Sequence, residues 1–509
     1  MGYELLTRLQ KTGKYELAEL ATYGKPEDPR INYLPWKVYP VIPREGDAAE
    51  HQAFNSRPDA QFGSWKFEQV CLEFKPDCVL DFRDCQWMST YQLTSPLRQY
   101  YSLLWMPTVD SFPQMDDWVN QYVMADKLLA YSNFGFNTLK KLVGEEKLGC
   151  VASPGVNMDD MRILDKKEIR SKYGLSQDIN IIGMVARNQI RKLFPDLFKM
   201  FRLFLDKAPQ ELADKTFLHI HTGFPDQGWD IPRLLKECGL SHKVYFTYIC
   251  RACGQVTISK WNDYKLNCKK CAAPGAVFFT NPAFGVDKKT LCEIYNLHDL
   301  YVQYAGLEGC GIPILEAAAC GVPVCVVPFS AMEDFPVTLS AYPIKIAKYM
   351  CEDKSHRTWA FPDNENFAEE LIKLMKPNLL KFWGEQTKEL CKQHYNWDDS
   401  AKLWEITIDN MPPAKRKWDD PPLQEVPPNV DNNSPDHIFV RDCINNIGMA
   451  PFLSDGLMYN RFMRDLYNCS VQEGNHHVPY TRQNVVSTCE QIRQGILFWE
   501  RERCRQSST

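Results

Sequence analysis

The sequence lacks a long apolar run and a strong excess of either charge. No stretch approaches the roughly 20 apolar residues that a membrane-spanning helix needs. The opening residues, Met1 to Leu5, do not have the pattern of a signal peptide. The net charge is −5 over 509 residues, so no overall field draws the chain to nucleic acid or to an anionic membrane. We therefore expect a cytoplasmic protein without a membrane span.

Evidence for a disulfide framework is also missing. The chain has 19 cysteines but no secretory signal, which favours reduced thiols and metal ligands. Hydrophobic residues make up 44% and charged residues 24%, which is ordinary for a globular protein. A chain of 509 residues is too long for a single core and predicts two domains with additional segments.

Short apolar segments alternate with amphipathic ones. In the first part we predict strands at 17–22, 36–40, 77–81, 102–106, 127–131 and 150–152, and helices at 65–74, 116–125 and 133–143. Asn133, after Ser132, is a candidate helix cap. Later strands are predicted around Ile181, Phe217, Val244, Leu300 and Val324. This alternation predicts an α/β fold with open, largely parallel sheets.

One strand–loop–helix segment contains two acids eight residues apart. The apolar run Leu300–Tyr304 reads as a buried strand, and a Gly-rich loop with Glu308 leads into a helix with Glu316. Gly321-Val322-Pro323 ends that helix. A helix N-terminus with free N–H groups attracts phosphate, and carboxylates accept hydrogen bonds from hydroxyls. The combination points to a nucleotide-sugar. An ordinary strand–loop–helix unit would need neither acid.

A basic cluster follows another buried strand. Residues 180–185 form the strand, and Arg187, Arg191 and Lys192 come after it. Fixed cations of this kind can bind phosphate groups. A solvated basic loop is the plain alternative, which the acidic segment downstream disfavours.

Together these segments resemble the E-x7-E signature and the strand-end Arg and Lys of retaining glycosyltransferases of the GT-B fold, family 4 (glycosyl transferases group 1). The resemblance covers about residues 65–410. It implies two Rossmann-like domains facing a cleft. It also implies transfer of a sugar from a nucleoside-diphosphate sugar with retention of configuration, and no catalytic metal.

The resemblance also assigns roles to residues. Arg187 and Lys192 would contact the diphosphate, with Arg191 a possible stand-in for either. Glu308 would bind the sugar hydroxyls as a catalytic residue, and Glu316 would hold the ribose. The remaining donor-binding positions are Gly309, Cys310 and Gly311 through backbone N–H groups, Ile312 and Pro313 beside the phosphates, and Gly285 and Val286 at the base.

Segments similar to family landmarks divide the chain. Residues 75–77 and 153–157 match two such segments, and the second marks the crossover between domains. We expect an acceptor domain at 1–155, a nucleotide-sugar domain at 156–396, a returning helix at 397–410, a Pro-rich linker at 411–435 and a helical extension at 436–509. The family's first strand has no counterpart before the helix near residues 3–9. An upstream start, a true loss or a strand from another chain would each account for this.

Two C-x2-C pairs lie inside the second domain. Cys250, Cys253, Cys268 and Cys271 predict a four-thiolate structural zinc site, a zinc ribbon at 248–275. The basic and aromatic residues of this insertion are Arg251, Lys260, Lys265, Lys269, Lys270, Trp261 and Tyr264, opposed by Asp263. They could touch nucleic acid, but a solvated surface is the favoured interpretation.

The acceptor side has fewer signals. Acids follow two strands at the edge where open sheets bind ligands: Asp81 and Asp84 after one, Asp110 after the next. Asp110 is the better candidate for a catalytic base or sugar ligand, although a turn or cap role is equally compatible. His219 and His221 alternate along one strand, and without a third ligand a structural role is favoured.

The sequence therefore predicts a retaining glycosyltransferase whose acceptor is a glycan, a protein or a hydroxymethylated base in DNA. The last option follows from a resemblance to phage, large-virus or environmental members of this family. For a viral protein the location would be the host cytoplasm. The alternative is a non-catalytic binding or scaffold protein on a degenerate glycosyltransferase fold. The oligomeric state is left open.

Overall fold

The computed structural model describes residues 1–419 except 57, 85–89, 262–265, 282, 283 and 354. Its first half alternates helices and strands. The elements are α1 (Gly2–Lys11), β1 (Ala18–Ala21), β2 (Lys37–Pro40), α2 (Ala48–Phe54), α3 (Ser64–Phe74), β3 (Cys78–Asp81), α4 (Thr90–Thr94), β4 (Ser102–Trp105), α5 (Asp116–Met124), β5 (Lys127–Ala130), α6 (Asn133–Val143) and β6 (Leu148–Val151), with 3-10 helices at Pro29–Tyr33, Pro58–Phe62 and Pro96–Tyr100.

The strands of this half form two parallel sheets. β1 pairs with β2, and β3, β4, β5 and β6 lie side by side in that order. The single open sheet predicted from the sequence is therefore divided. Because all neighbours in the four-stranded sheet are parallel, the carboxyl ends of its strands share one edge, and Asp110 follows β4 at that edge.

The second half has the same alternation. Its elements are α7 (Lys166–Lys172), β7 (Asn180–Val185), α8 (Phe194–Lys207), α9 (Gln210–Lys215), β8 (Thr216–His221), α10 (Ile231–Glu237), β9 (Val244–Cys250), β10 (Val256–Lys260), β11 (Val277–Phe279), α11 (Lys288–Leu297), β12 (Leu300–Gln303), α12 (Ile312–Ala319), β13 (Val324–Val326), α13 (Phe335–Thr338), β14 (Tyr342–Pro343), β15 (Ile346–Cys351), β16 (Thr358–Pro362), α14 (Asn364–Leu374), α15 (Pro377–His394) and α16 (Trp397–Asp409), with a 3-10 helix at Ser330–Glu333.

An eight-stranded sheet organises this half. Its order is β10-β9-β8-β7-β12-β13-β14, and β11 also pairs with β9. The strands from β9 through β14 in this order are parallel, whereas β10 and β11 run antiparallel to β9. β7 and β12 are parallel neighbours, so the loops after them emerge side by side.

Helices cover this sheet with apolar faces. In α8 the aromatic residues Phe194, Phe198, Phe201 and Phe204 recur at helical spacing and are fully buried. They belong to one large core with β7, β8 and β12, while a separate core lies around β4 and β5.

The chain crosses between the halves twice at one place. Val156 N donates to Tyr395 O at 2.9 Å, which links the two connecting segments. Gly155 is required there, since a Cβ would lie 2.2 Å from Trp397 N. α16 then packs on α1, where Trp397 and Trp404 join Leu5 in a third core. The returning helix expected at 397–410 thus lies against the first half.

The helix predicted at 133–143 has the same bounds in the structure as α6, but its cap is a different residue. Ser132 Oγ accepts a hydrogen bond from Gly135 N at 3.1 Å, and Asn133 is already helical. The predicted linker continues past residue 419, and most of it, with the whole extension at 436–509, lies outside the described residues. Among the helices of the described chain, none is both long and apolar enough to cross a membrane.

Three histidines lie close together in the second half: His219 and His298 are buried, and His221 is half-buried. His219 Nδ1 is 2.8 Å from His298 Nε2, and His219 Nε2 is 3.0 Å from Thr247 Oγ1. Burial lowers the pKa of all three, of His298 to about 3 and of His221 to about 4. These rings are therefore neutral in the folded protein at neutral pH, and the contacts of His219 with His298 and Thr247 favour a structural role.

This burial predicts a loss of stability in mild acid. The unfolded state takes up protons below a pH of about 6.5, whereas the folded state does not, so stability present above that pH is lost as the pH falls toward 4. Each histidine should contribute about 1.4 kcal/mol of loss per pH unit in that window. We expect His221→Gln to reduce the pH dependence of the free energy of unfolding between pH 7.5 and 5.5, measured by urea unfolding.

The exposed His51 on α2 gives the matched control, and His51→Gln should keep the wild-type pH dependence. Identical pH dependence in His221→Gln and the wild type would refute the assignment.

Candidate functional site

The site forms where the loops after β7 and β12 meet. Because these strands are parallel neighbours, their carboxyl ends bring the basic cluster beside the loop that contains Glu308. Backbone bonds fix the two loops together: Leu193 N donates to Tyr304 O at 3.1 Å, and Gly306 N donates to Arg191 O at 2.8 Å.

Glu308 is the centre of this arrangement. Its side chain is only 5% exposed. Lys192 Nζ and Gln303 Nε2 (2.7 Å) both donate to Oε1, and Arg191 Nη1 donates to Oε2 at 2.6 Å. A buried carboxylate is costly unless such donors surround it. Burial, with the charge of Arg191, lowers the pKa of Lys192.

The backbone of Glu308 is held separately. Glu308 N donates to Ser330 Oγ at 2.9 Å, and Ser330 Oγ is also 2.9 Å from Glu308 O. Ser330 has a φ of 57°, a left-handed conformation that costs energy for a residue with a side chain. The loop after β13 therefore positions the loop after β12.

Arg187 lies apart from this cluster. Its guanidinium forms two bonds to Asp226, at 2.9 and 3.0 Å, and its side chain is 47% exposed. The structure thus brings Arg191 and Lys192, rather than Arg187, into contact with Glu308. Sequence reasoning had left Arg191 as a possible stand-in and had assigned no role to Asp226.

Glu316 lies on α12, whose N-cap is Gly311. Tyr295 of α11 donates to Glu316 Oε2 at 2.7 Å, and burial raises the pKa of the acid. The charges facing it are Lys288 and the N-terminal amine of Met1. Within the described chain, Oε1 of Glu316 has no hydrogen-bond partner, so it is free to accept one from a ligand.

The other predicted donor positions surround these acids. Cys310 is half-buried, Ile312 is exposed and Pro313 is half-buried at the start of α12. Gly285 and Val286 lie between β11 and α11, directly before Asp287, whose side chain caps α11 through Thr290 N at 2.7 Å. The predicted base loop is therefore continuous with the helix that carries Tyr295.

The two halves touch at Gly309. A Cβ there would lie 2.1 Å from Cγ2 of Thr108, so only glycine fits against the loop after β4. Asp110 in the same loop faces the second half: its Oδ2 is 3.7 Å from Arg357 Nη1. Burial raises the pKa of Asp110, and the charges of Arg357 and Arg191 oppose that shift.

The acids after β3 divide into two kinds. Asp81 is buried and paired with Arg83 at 2.7 Å, which is a structural role. The charge of Asp84 acts to raise the pKa of both Asp110 and Arg191, so Asp84 lies within electrostatic reach of them. Asp84 and Asp110 are thus the acids that the first half directs toward Arg191.

The four cysteines of the insertion come together. Their Sγ atoms all lie within 4.8 Å of one another. Cys250 Sγ is 3.8 Å from Cys271 Sγ, and Cys253 Sγ is 3.6 Å from Cys268 Sγ. A tetrahedron with Zn–S bonds of about 2.3 Å has S–S edges of about 3.8 Å, so the cluster fits zinc.

The thiols of this cluster differ in pKa, since against a backbone N–H of Gln255 the pKa of Cys253 is raised by burial and by the other thiols, while that of Cys268 is lowered. Backbone N–H groups of Cys271 and Lys270 lower the pKa of Cys268 to about 6, which favours the thiolate that zinc requires.

The insertion offers few free aromatic faces. Trp261 packs against Phe224, Phe246 and Phe279, and Lys260 lies over Phe217 and Tyr245. These contacts favour the solvated-surface interpretation over a nucleic-acid platform. Tyr264, Lys265 and Asp263 lie outside the described residues.

Several site residues were not assigned from the sequence: Gln303, Tyr295, Ser330, Asp226 and Arg357. Gln303 alone had a usable signal, since it is a polar residue inside an apolar strand, and buried polar side chains need partners. The others reach the site from distant segments, which spacing does not reveal.

The buried ion pairs predict a coupled effect on stability. Lys192→Met should lower the free energy of unfolding by about 3 kcal/mol, because Glu308 would lose a donor in a buried site. Adding Glu308→Gln should restore part of the loss, giving a double-mutant cycle that is far from additive. Thermal and urea unfolding measure both effects.

The exposed pair Glu211–Lys215 is the control, and Lys215→Met should leave the stability nearly unchanged. Additive losses from Lys192→Met and Glu308→Gln would contradict the coupling.

Comparison with known proteins identifies a family model that matches part of the chain and solved structures with a similar fold. Residues 165–390 match the model described as Glycosyl transferases group 1. No curated protein matches the chain.

Solved structures of low identity share the architecture. Sucrose-phosphate synthase from Thermosynechococcus elongatus is 14% identical with a TM-score of 0.55, covering 80% of this chain and 91% of its own. Anabaena HepE in complex with UDP and glucose is 11% identical with a TM-score of 0.54, covering 81% and 96%. A glycosyltransferase from Rickettsia africae is 14% identical with a TM-score of 0.52, covering 80% and 93%.

The four-stranded parallel sheet of the first half, the largely parallel eight-stranded sheet of the second half, the returning helix α16 and these similarities agree with the expected architecture. The protein therefore has the GT-B fold. The match of residues 165–390 to Glycosyl transferases group 1 identifies it as a transferase enzyme.

Proposed function

We propose that this glycosyltransferase moves a sugar from a nucleoside-diphosphate sugar to an acceptor hydroxyl with retention of anomeric configuration. One observation carries the proposal. Arg191, Lys192 and Glu308 meet at the carboxyl edge of β7 and β12, opposite Asp110 from the other half. Cations, a carboxylate and an opposing acid in one cleft suit a donor with phosphates and hydroxyls.

The cations bind the diphosphate. Arg191 and Lys192 are held by Glu308 and by backbone bonds, so their charge is in place before the leaving group develops its own. Arg187, kept at the margin by Asp226, adds a third cation that is exposed enough to reach a ligand. This arrangement needs no metal to stabilise the departing diphosphate.

The acids bind the hydroxyls. Glu308 accepts from the sugar, and Oε1 of Glu316 accepts from the ribose while Tyr295 retains Oε2. Gly309, Cys310 and Gly311 face the sugar through their backbone, Ile312 and Pro313 lie beside the phosphates, and Gly285 and Val286 meet the base. These roles follow from the family resemblance together with the positions described above.

In the reaction, the bond between the anomeric carbon and the phosphate oxygen breaks, and the acceptor oxygen bonds to that carbon on the same face. The acceptor proton passes to the departing diphosphate. Asp110 orients the acceptor or the transferred sugar, as a group with a raised pKa in the cleft. Anabaena HepE, seen with UDP and glucose and with UDP-glucose, makes UDP-glucose the first donor to test.

The acceptor is a glycan, a protein or a hydroxymethylated base in DNA. The packing of Trp261 against Phe224, Phe246 and Phe279 argues against base stacking on the insertion and so makes DNA the weakest of the three. A non-catalytic scaffold is not favoured, because a scaffold would have no need of a buried Glu308 with two cations.

Zinc is the structural metal that we propose for the four cysteines. All four ligands are thiolates and leave no open position, so the metal folds the insertion and takes no part in the transfer.

Donor binding tests the proposal directly. UDP-glucose should raise the melting temperature of the wild type, since it binds the folded state alone. Glu316→Gln should lose most of that shift, because the amide accepts the ribose hydroxyl less well and alters the bond from Tyr295. The measurement is a thermal shift across UDP-glucose, ADP-glucose, GDP-mannose and their free diphosphates.

Glu385 on α15 is exposed and gives the matched control, so Glu385→Gln should keep the full shift. An unchanged shift in Glu316→Gln would remove that residue from the site, and the absence of any shift with the whole panel would overturn the proposed function.

Retention gives a further prediction. When water replaces the acceptor, slow hydrolysis of UDP-glucose should release glucose that is first α and then equilibrates. Proton NMR of the anomeric signal at early times follows this directly. Initial release of β-glucose would show inversion.

A further inference from the structure

The zinc-ribbon insertion is joined to the edge of the sheet where the donor would bind. β9 pairs with β10 along one side and with β8 at Val244–Phe246 along the other. Beyond that point β11 takes the place of β8, with Val277 opposite Cys250 and Phe279 opposite Tyr248. β11, the strand that directly follows the insertion, therefore lies where the carboxyl end of β8 opens toward the ligand edge.

From β11 the chain passes into the loop that contains the proposed base positions Gly285 and Val286, and the structure describes residues 280, 281 and 284–286 of this loop. Thr280 Oγ1 donates to Thr222 O at 3.2 Å, which ties the loop to the end of β8. Phe284 N donates to Asn281 Oδ1 at 3.0 Å and closes the turn before Gly285 and Val286. The conformation of this loop is thus set at its start by the position of β11.

Arg251 connects the metal cluster to the same loop. It lies between Cys250 and Cys253, and its N–H donates to Ala276 O at 2.9 Å. Its guanidinium carbon is 4.0 Å from the ring centre of Phe278 and 5.1 Å from that of Phe284. A residue held between two zinc ligands therefore packs on the loop one residue before Gly285.

The loop then leads into α11 and to the acid of the ribose site. Asp287 caps α11, and Tyr295 on that helix donates to Glu316. The chain from Cys250 to Tyr295 is thus one continuous connection between the metal cluster and the nucleoside end of the proposed site.

We propose that the zinc-bound ribbon positions residues 284–286 for the nucleoside part of the donor, with Arg251 as the positioning residue that transmits the effect. The inference rests on the proposed function. Zinc supplies the folding free energy of a segment too short for its own core. A loop that is already ordered does not have to be ordered on binding, so metal removal should weaken nucleoside binding.

The diphosphate part of the donor should be insensitive to the ribbon, because Arg191 and Lys192 are fixed by Glu308 on other loops. A loss of nucleoside binding without a loss of diphosphate binding would therefore distinguish a change in the base loop from a general loss of structure.

The test uses the full chain, with zinc measured by elemental analysis and binding by calorimetry, and with UDP and inorganic pyrophosphate as probes. Arg251→Ala should retain one zinc per chain, weaken UDP binding at least tenfold and leave pyrophosphate binding unchanged. Cys271→Ala should lose the zinc and show the same pattern. Lys269→Ala, an exposed change between the second pair of cysteines, should alter neither zinc nor UDP binding.

Arg251→Ala with wild-type UDP affinity would overturn the inference, and this variant decides the matter even if Cys271→Ala does not fold. Equal weakening of UDP and pyrophosphate would also overturn it, since that would indicate general damage. Failure of the zinc-loaded wild type to bind UDP, ADP or GDP would instead be a failure of the proposed function, and would remove the inference with it.

Discussion

The buried carboxylate of Glu308 is the constraint on which the site depends. Its surroundings are too dry to leave it without partners, and three donors reach it from two strands: Gln303 from β12, and Arg191 and Lys192 from the loop after β7. Because those partners belong to neighbouring parallel strands, the ion pairs also fix how the two loops lie against each other. Ser330 fixes the backbone from a third loop. Because the buried charge of Glu308 needs these partners, the partners fix the loops that form the cleft on the side of the second half.

The same constraint reaches the first half of the protein. Glu308 holds its loop so that Gly309 meets Thr108, and no side chain fits between them. A second contact lies at α6, where Asn133 N donates to Asp334 at 2.9 Å, a carboxylate at a helix N-terminus. Asp110 faces Arg357 and Arg191 across the cleft. The two halves of the protein are therefore complementary in shape at Gly309 and complementary in charge around it.

Whether the sequence could predict a feature of the fold or the site depends on how far apart along the chain the interacting residues lie. Strands such as β7 and β12, the bounds of α6 and the four cysteines are encoded by local pattern and spacing. The cap was misassigned to Asn133 because both it and Ser132 are good caps, and the choice depends on where the helix begins. Tyr295, Asp226 and Arg357 were missed since their partners are 21 or more positions away. The division of the first sheet has no local signal either.

Glu308 also decides how the proposed chemistry should be understood. In the free protein the carboxylate of Glu308 is paired with Arg191 and Lys192, the same cations that would bind a diphosphate. A donor brings its own negative charges, so Arg191 and Lys192 would exchange or share partners, and Glu308 would become available to sugar hydroxyls. Arg191 would stay in place during this exchange, because the backbones of Gly306 and Leu307 form hydrogen bonds with it. Because Glu308 and its cations are paired before binding, this part of the site keeps its geometry without ligand, which is the condition for electrostatic stabilisation of a leaving group.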